Sequence, residues 1–309
     1  MERGAIPVEE FPGGLDLQAT VESGQSYCWG RADGRMYEVG DPAGGSAWYH
    51  TVVDGAPPWG PDSRDASPEV VCVRQTDGRL EWESTTDAVP ILRRLLRLDD
   101  DLPAIRKATP TDPLLDRAWN AYPGMRLVAD PPFRTLISFI CSAQMRVERI
   151  HRMQVALAET YGDSVEFDGH TYHAFPRPEQ LAAATEEELR DLSLGYRAPY
   201  VQATAEMVAS GEADPAEAAG HSYEEAREWL TRFVGVGDKV ADCVCLFSLG
   251  FLEAVPLDTW IRHAIAEHYP DCDRGSYAKT SRAIRDRLGG EYAGYAQTYA
   301  FHYLRTREG

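Results

Sequence analysis

The chain has 309 residues, 43% of them hydrophobic, and carries 49 acidic against 31 basic side chains for a formal charge of −18. That size allows one or two real cores, while no run approaches the roughly 20 apolar residues of a membrane span and the start Met1-Glu2-Arg3-Gly4 lacks the regions of a secretory signal, so a soluble, cytoplasmic protein is expected. The charge has the wrong sign for a phosphate backbone, and on composition alone an acidic protein that never meets nucleic acid stays open.

From Leu15 to Glu22 apolar and polar residues alternate at period two, which predicts a strand with one buried face. Further strands are expected at Met36–Val39, Ala47–Val53, Val70–Gln75 and Leu80–Ser84, with Asp33-Gly34 and Asp77-Gly78 as hairpin turns. The Pro/Gly/Asp-rich stretch Asp54–Pro68 reads as a surface loop. Ala88–Leu98 has helical spacing and could cover the sheet. After about Ala108 the period changes to 3.6, with capping boxes at Thr185-x-x-Glu188 and Ser222-x-x-Glu225 and Gly195 as a C-cap. The expectation is an α+β chain: an antiparallel β-sheet domain over residues 1–107 packed on a mainly α-helical domain over 108–309.

The six cysteines form no C-x-x-C pair, so zinc or an iron-sulfur cluster is poorly supported and reduced thiols are expected. No metal or organic cofactor is implied.

The segment Trp229 to Leu246 carries the most information. A helix ending near Phe233, a tight turn through Gly235-Val236-Gly237 and a second helix with Asp238 as N-cap make a hairpin whose backbone N–H groups suit a DNA phosphate. Lys239 falls in the first turn of the second helix, and its neighbours at i+4 and i+7, Cys243 and Leu246, are apolar, which directs its stem towards buried surface. An amine there, at the positive end of a helix, can serve as a nucleophile as arginine cannot. Lys107, Lys239 and Lys279 are the only lysines in a chain that otherwise uses arginine. An acidic, lysine-poor composition is also the mark of salt-saturated cytoplasms, where screening lengths fall to about 3 Å or less and repulsion from DNA is largely erased; a halophilic source is expected. Downstream, Val255-Pro256-Leu257-Asp258 places a carboxylate as N-cap of the next helix. Capping should keep it ionised, able to stabilise oxocarbenium-like charge.

In these two motifs the sequence resembles the helix-hairpin-helix glycosylases with a Gly/Pro-rich loop and catalytic aspartate, and within them the eukaryotic-type 8-oxoguanine DNA glycosylases. The resemblance implies a bifunctional DNA glycosylase/AP lyase with Lys239 as Schiff-base nucleophile, Asp258 beside it and Cys243 lining the base pocket. It implies damaged double-stranded DNA as partner, no membrane, and a monomer. It extends over most of the chain. Ser23-Gly24-Gln25 looks like the segment whose glycine carbonyl accepts from N7–H of 8-oxoguanine, a proton that guanine lacks. Gln297 would read the flipped base's edge and Phe301 would stack on it. Gln144 and Arg149 match the region that meets the opposite base, Tyr196 the intercalating wedge, and Arg197 the reader of the estranged base. Three positions depart from the pattern: Gln144 in place of asparagine and a shifted Arg305 imply a weaker preference for opposite cytosine, and Trp260 in place of histidine implies a change in how a lesion phosphate is held. Two readings remain beside this one: a helix-hairpin-helix glycosylase for alkylated or deaminated bases, and a non-catalytic DNA-binding module.

Overall fold

The computed structural model describes residues 1–38, 45–55, 57, 59 and 66–307. Five antiparallel strands, β1 (Glu2–Pro7), β2 (Gly30–Arg31), β3 (Tyr49–Asp54), β4 (Pro68–Thr76) and β5 (Arg79–Ser84), form one sheet in the order β1-β5-β4-β3-β2. Asp77-Gly78 closes the two-residue hairpin at the Thr76↔Arg79 pair, with Gly78 at φ +73° where a side chain is disfavoured. On this sheet packs α2 (Val89–Leu95), burying Ile91, Leu92 and Leu95 against Leu80, Trp82 and Val71.

Two expectations for this region fail. Leu17–Glu22 is a helix, α1, not a strand. Asp16 caps it, its carboxylate accepting from Ala19 N at 2.8 Å. The polar members of the alternation do not face solvent: Gln18, Thr20 and Glu22 are buried, and Glu22 accepts from Tyr49 Oη at 2.5 Å and pairs with Arg31 at 3.1 Å. Residues 36–38 form turns instead of a strand, and Val39 lies outside the described residues. Asp33-Gly34 does turn the chain, Gly34 N donating to Arg31 O at 2.9 Å, but the partner of β2 is β3.

The rest is helical apart from one small hairpin. In chain order come α3 (Leu102–Ala108), α4 (Pro113–Ala121), α5 (Pro132–Cys141), α6 (Val147–Tyr161), the hairpin β6 (Ser164–Phe167) and β7 (His170–His173), then α7 (Pro178–Ala182), α8 (Glu186–Leu189) and α9 (Ala198–Ala209). They are followed by α10 (Tyr223–Leu230), α11 (Asp238–Val244), α12 (Thr259–His268), α13 (Tyr277–Arg287) and α14 (Ala293–Arg307). Both predicted capping boxes start helices, α8 and α10. The sheet core runs to Leu98, whereas Leu102 and Ile105 already belong to the helical core.

Polar groups pin residues 12–25 onto the helical part. Arg126 is fully buried and donates to the carbonyls of Pro12 (2.9 Å), Gly14 (2.9 Å), Arg97 (2.8 Å) and Asp100 (3.1 Å). Gln25 donates to Arg126 O at 2.8 Å and accepts from Val128 N at 3.0 Å. Buried donors satisfied this fully fix a backbone path, and that path carries Gly24 towards the helices.

Candidate active site

The hairpin joins α10 to α11. Gly235 has φ +83°, and a Cβ there would stand 2.8 Å from the Tyr200 side chain, so both conformation and space require glycine. Val236 N closes the turn on Phe233 O at 3.1 Å. The N-cap of α11 is Gly237, not Asp238 as the sequence suggested. Asp238 instead opens the helix and its carboxylate lies 3.9 Å from Arg227.

Lys239 points along α11 towards α5. Its Nζ donates to Ser142 Oγ at 2.9 Å, Ser142 Oγ in turn donates to Phe139 O at 2.7 Å, and the amine sits 5.2 Å from the Phe139 ring centroid. One turn further, Cys243 is buried and its thiol is pushed up to about 12 by burial, with the Lys239 charge acting in opposition. Asp258 caps α12, accepting from Ile261 N at 2.8 Å. Burial raises its carboxyl above the ordinary aspartate range, outweighing the Ile261 N–H and the Lys239 charge. Capping alone led to the opposite expectation; the cost of dehydrating the carboxylate is the larger effect.

Lys239, Cys243 and Asp258 line one pocket together with Gly24, Gln297 and Phe301. These residues come from three distant stretches of sequence. Gly24 has φ +92°, and a Cβ would meet Val147 Cγ1 at 3.0 Å and Arg305 Nη1 at 3.1 Å. Gln297 and Phe301 sit one turn apart on α14, Gln297 buried with its amide donating to Thr298 Oγ1 at 2.8 Å. Arg305, on the same helix, donates to Glu22 O at 2.8 Å and lies 5.7 Å from the Phe301 ring centroid. It therefore braces the Gly24 loop.

Three residues at the site escaped the sequence reading. Ser142 holds the Lys239 amine. Asp242, wholly buried, accepts from Tyr223 Oη and Tyr277 Oη at 2.7 Å each, and Tyr277 Oη accepts from Leu257 N at 3.0 Å. The relay Asp242–Tyr277–Leu257 thus ties the helix of Lys239 to the residue before Asp258. Burial pushes the Asp242 carboxyl up to about 7, against the Tyr223 hydrogen bond and the Arg227 charge. Asp242 stands three residues after the lysine, inside the same motif, whereas Tyr277 lies 35 residues away from it in sequence.

The residues expected to meet DNA lie on a more open face. Gln144 has φ +55° and borders a recess with Arg149, Arg146 and Arg152. Tyr196 is 51% exposed and Val234, in the hairpin, 41%. Arg197, expected to read the estranged base, lies beneath Tyr196. It is 3% exposed, donates to the Ala143 carbonyl and lies 4.3 Å from the Tyr196 ring centroid. Here it shapes the backbone beside Gln144. Among the described residues no set of three His, Cys, Asp or Glu side chains could hold a metal, and the six cysteines are free and buried.

Residues 137–289, just under half of the chain, match the family described as HhH-GPD superfamily base excision DNA repair protein. Within it, the similarity runs to N-glycosylase/DNA lyases. The probable N-glycosylase/DNA lyase of Methanothermobacter thermautotrophicus is 35% identical over 202 residues, 59% of this chain and 64% of that one. The chain thus spans just under two thirds of that relative's length. A solved structure of MBOgg1 in complex with a low-affinity DNA ligand superposes with a TM-score of 0.83 at 28% identity, covering 100% of this chain and 97% of the other. The Clostridium acetobutylicum 8-oxoguanine glycosylase/lyase, solved with double-stranded DNA containing cytosine opposite 8-oxoG, gives 0.80 at 27% identity, covering 95% and 93%.

Proposed function

We propose that this chain is a bifunctional DNA glycosylase/AP lyase that excises 8-oxoguanine from duplex DNA. The observation that carries the reading is the convergence of Lys239, Asp258, Gly24, Gln297 and Phe301 on one pocket. The Lys239 lone pair forms a bond to C1′ of the flipped nucleotide as the C1′–N9 bond breaks and the base departs with that electron pair. Opening of the sugar gives a protonated Schiff base. Loss of a C2′ proton then expels the 3′ phosphate, and hydrolysis frees the lysine. Asp258 faces the positive charge that develops at the sugar, in a site where burial strengthens the interaction. The Gly24 carbonyl receives N7–H of the lesion, Gln297 reads its edge and Phe301 stacks on it. The hairpin Gly235-Val236-Gly237 holds a phosphate, Tyr196 enters the stack, and Gln144 and Arg149 meet the opposite base. Arg197 assists by holding the backbone at residue 143.

No helix among the described residues is long and apolar enough to cross a membrane. The reading includes a monomer at work in a cytoplasm of high salt, where the −18 charge is screened. The test is borohydride trapping at high salt on duplexes that each carry one 8-oxoguanine, uracil, hypoxanthine or 3-methyladenine. A covalent complex is expected with 8-oxoguanine. A complex only with another lesion would reassign the substrate, and none with any would remove the lyase step.

A further inference from the structure

The open recess between α5 and α6 is lined by Gln144, Met145, Arg146, Glu148, Arg149 and Arg152. Arg146 is the N-cap of α6, and Arg149 and Arg152 follow at steps of three within its first two turns, a row about 9 Å long along the helix axis. All three arginines are exposed.

Local rules run against this row. The N-terminal end of a helix carries partial positive charge and favours carboxylates, so cations there oppose the helix. Like charges three residues apart on a helix also repel one another. No partner relieves them: among the described residues none of the three forms an ion pair, not even with Glu148, which shares the recess. Exposed arginines elsewhere do find carboxylates, as Arg35 pairs with Glu38 and Arg282 with Glu224, each at 2.7 Å, and Arg190 with Glu186. With 49 acidic against 31 basic side chains in the chain, three unpaired cations side by side run against the composition as well. Choices that cost local stability in this way mark a surface shaped by a ligand.

The surroundings indicate which ligand. Arg197 donates to the Ala143 carbonyl and so places the exposed Tyr196 ring beside Gln144. Ser142, two residues before Gln144, holds the Lys239 amine. Val147, in the same first turn as the row, would stand 3.0 Å from a Cβ on Gly24. The row therefore lies at the rim of the base pocket, on the face that would meet a duplex. Three cations strung along a helix match a run of phosphates better than one small anion, and the forked guanidinium suits phosphate oxygens.

We propose that Arg146 and Arg152, on either side of Arg149, grip backbone phosphates of the undamaged strand that flank the estranged base. The strand assignment rests on the reading of Gln144 and Arg149 as the residues that meet the opposite base; the phosphate contact itself does not.

The test measures equilibrium binding of the full chain to undamaged duplex over a series of potassium chloride concentrations. Each neutralised phosphate releases counterions, so the slope of log binding constant against log salt should shrink by about 0.9 in Arg146→Gln and in Arg152→Gln, and by about twice that in the double variant. The unfolding midpoint of each variant should hold or rise, because a repelling charge has gone. A second arm fixes the register with a tetrahydrofuran abasic analogue opposite cytosine and neutralises single phosphates as methylphosphonates. Those beside the estranged cytosine should weaken wild type several-fold and the double variant hardly at all, whereas those in the lesion strand should weaken both alike. An unchanged salt slope would overturn the proposal, and a fallen midpoint with it would make the row a fold contact. Coupling to lesion-strand phosphates alone would overturn the strand assignment. Binding to undamaged duplex needs no lyase chemistry, so failure here is distinct from failure of borohydride trapping.

Discussion

The pocket of Lys239 and the face around Tyr196 meet at the ends of α5 and α11 and follow opposite rules. In the pocket the groups that would do chemistry are half-buried and each is braced by a second one: Lys239 by Ser142, Asp258 by the N–H of Ile261, and the two segments by the Asp242–Tyr277–Leu257 relay. On the open face the backbone is strained at Gln144 (φ +55°) and Ser193 (φ +69°), and the rings are left to solvent. The difference shows which distances are set before the substrate arrives. Bond-breaking groups gain from geometry fixed in advance in a dry site, while groups that meet a duplex stay unsatisfied until it comes. Arg197 belongs to both regions, buried like a bracing group yet placed under the exposed ring of Tyr196.

Substitutions on each side should break the comparison if it is wrong. Asp258→Asn keeps a cap for α12 but removes the charge, so single-turnover excision should slow on the order of a hundredfold with lesion binding little changed; wild-type turnover would reduce Asp258 to a helix cap. Tyr277→Phe removes one hydroxyl and leaves the Leu257 N–H and a buried carboxylate oxygen short of a partner. The excision rate should fall about tenfold, the scale of a hydrogen bond to a charged group, while the dissociation constant for lesion duplex stays put. An equal loss in both would mean that the relay only supports the fold. Tyr196→Ala should do the reverse: binding weakens by roughly 1 kcal/mol, about fivefold, as for a partly exposed stacking ring, and the rate at saturating duplex holds. A rate loss without a binding loss would place Tyr196 inside the chemistry.

The helical part was legible because its signals are local. A glycine hairpin, two capping boxes and Asp258 before its helix each act within four residues, and each stands where expected apart from the shift of the α11 cap to Gly237. The sheet was legible where consecutive strands pair: the expected strands at Ala47–Val53, Val70–Gln75 and Leu80–Ser84 correspond to β3, β4 and β5. Leu17–Glu22 misled because its polar residues are buried through partners such as Tyr49 and Arg31, which the local pattern does not contain. The β1 strand was missed because its partner β5 is some eighty residues away and only the pairing makes it a strand. At the site, the residues that would touch substrate were found through motifs, whereas Ser142, Tyr277 and the bracing role of Arg305 were not. Their partners are distant in sequence, 97 residues in the case of Ser142 and Lys239. The rise of the Asp258 carboxyl was hidden for the same reason, since burial is a property of the whole core.

The central claim is that Lys239 is the nucleophile, and the most direct measurement is borohydride reduction of the enzyme on an 8-oxoguanine duplex, followed by proteolysis and mass mapping of the adduct. The account predicts a single modified peptide in which Lys239 carries the sugar, and no adduct from Lys239→Gln despite retained binding of the duplex. An adduct at Lys107, Lys279 or the N-terminal amine, or undiminished trapping by Lys239→Gln, would contradict it.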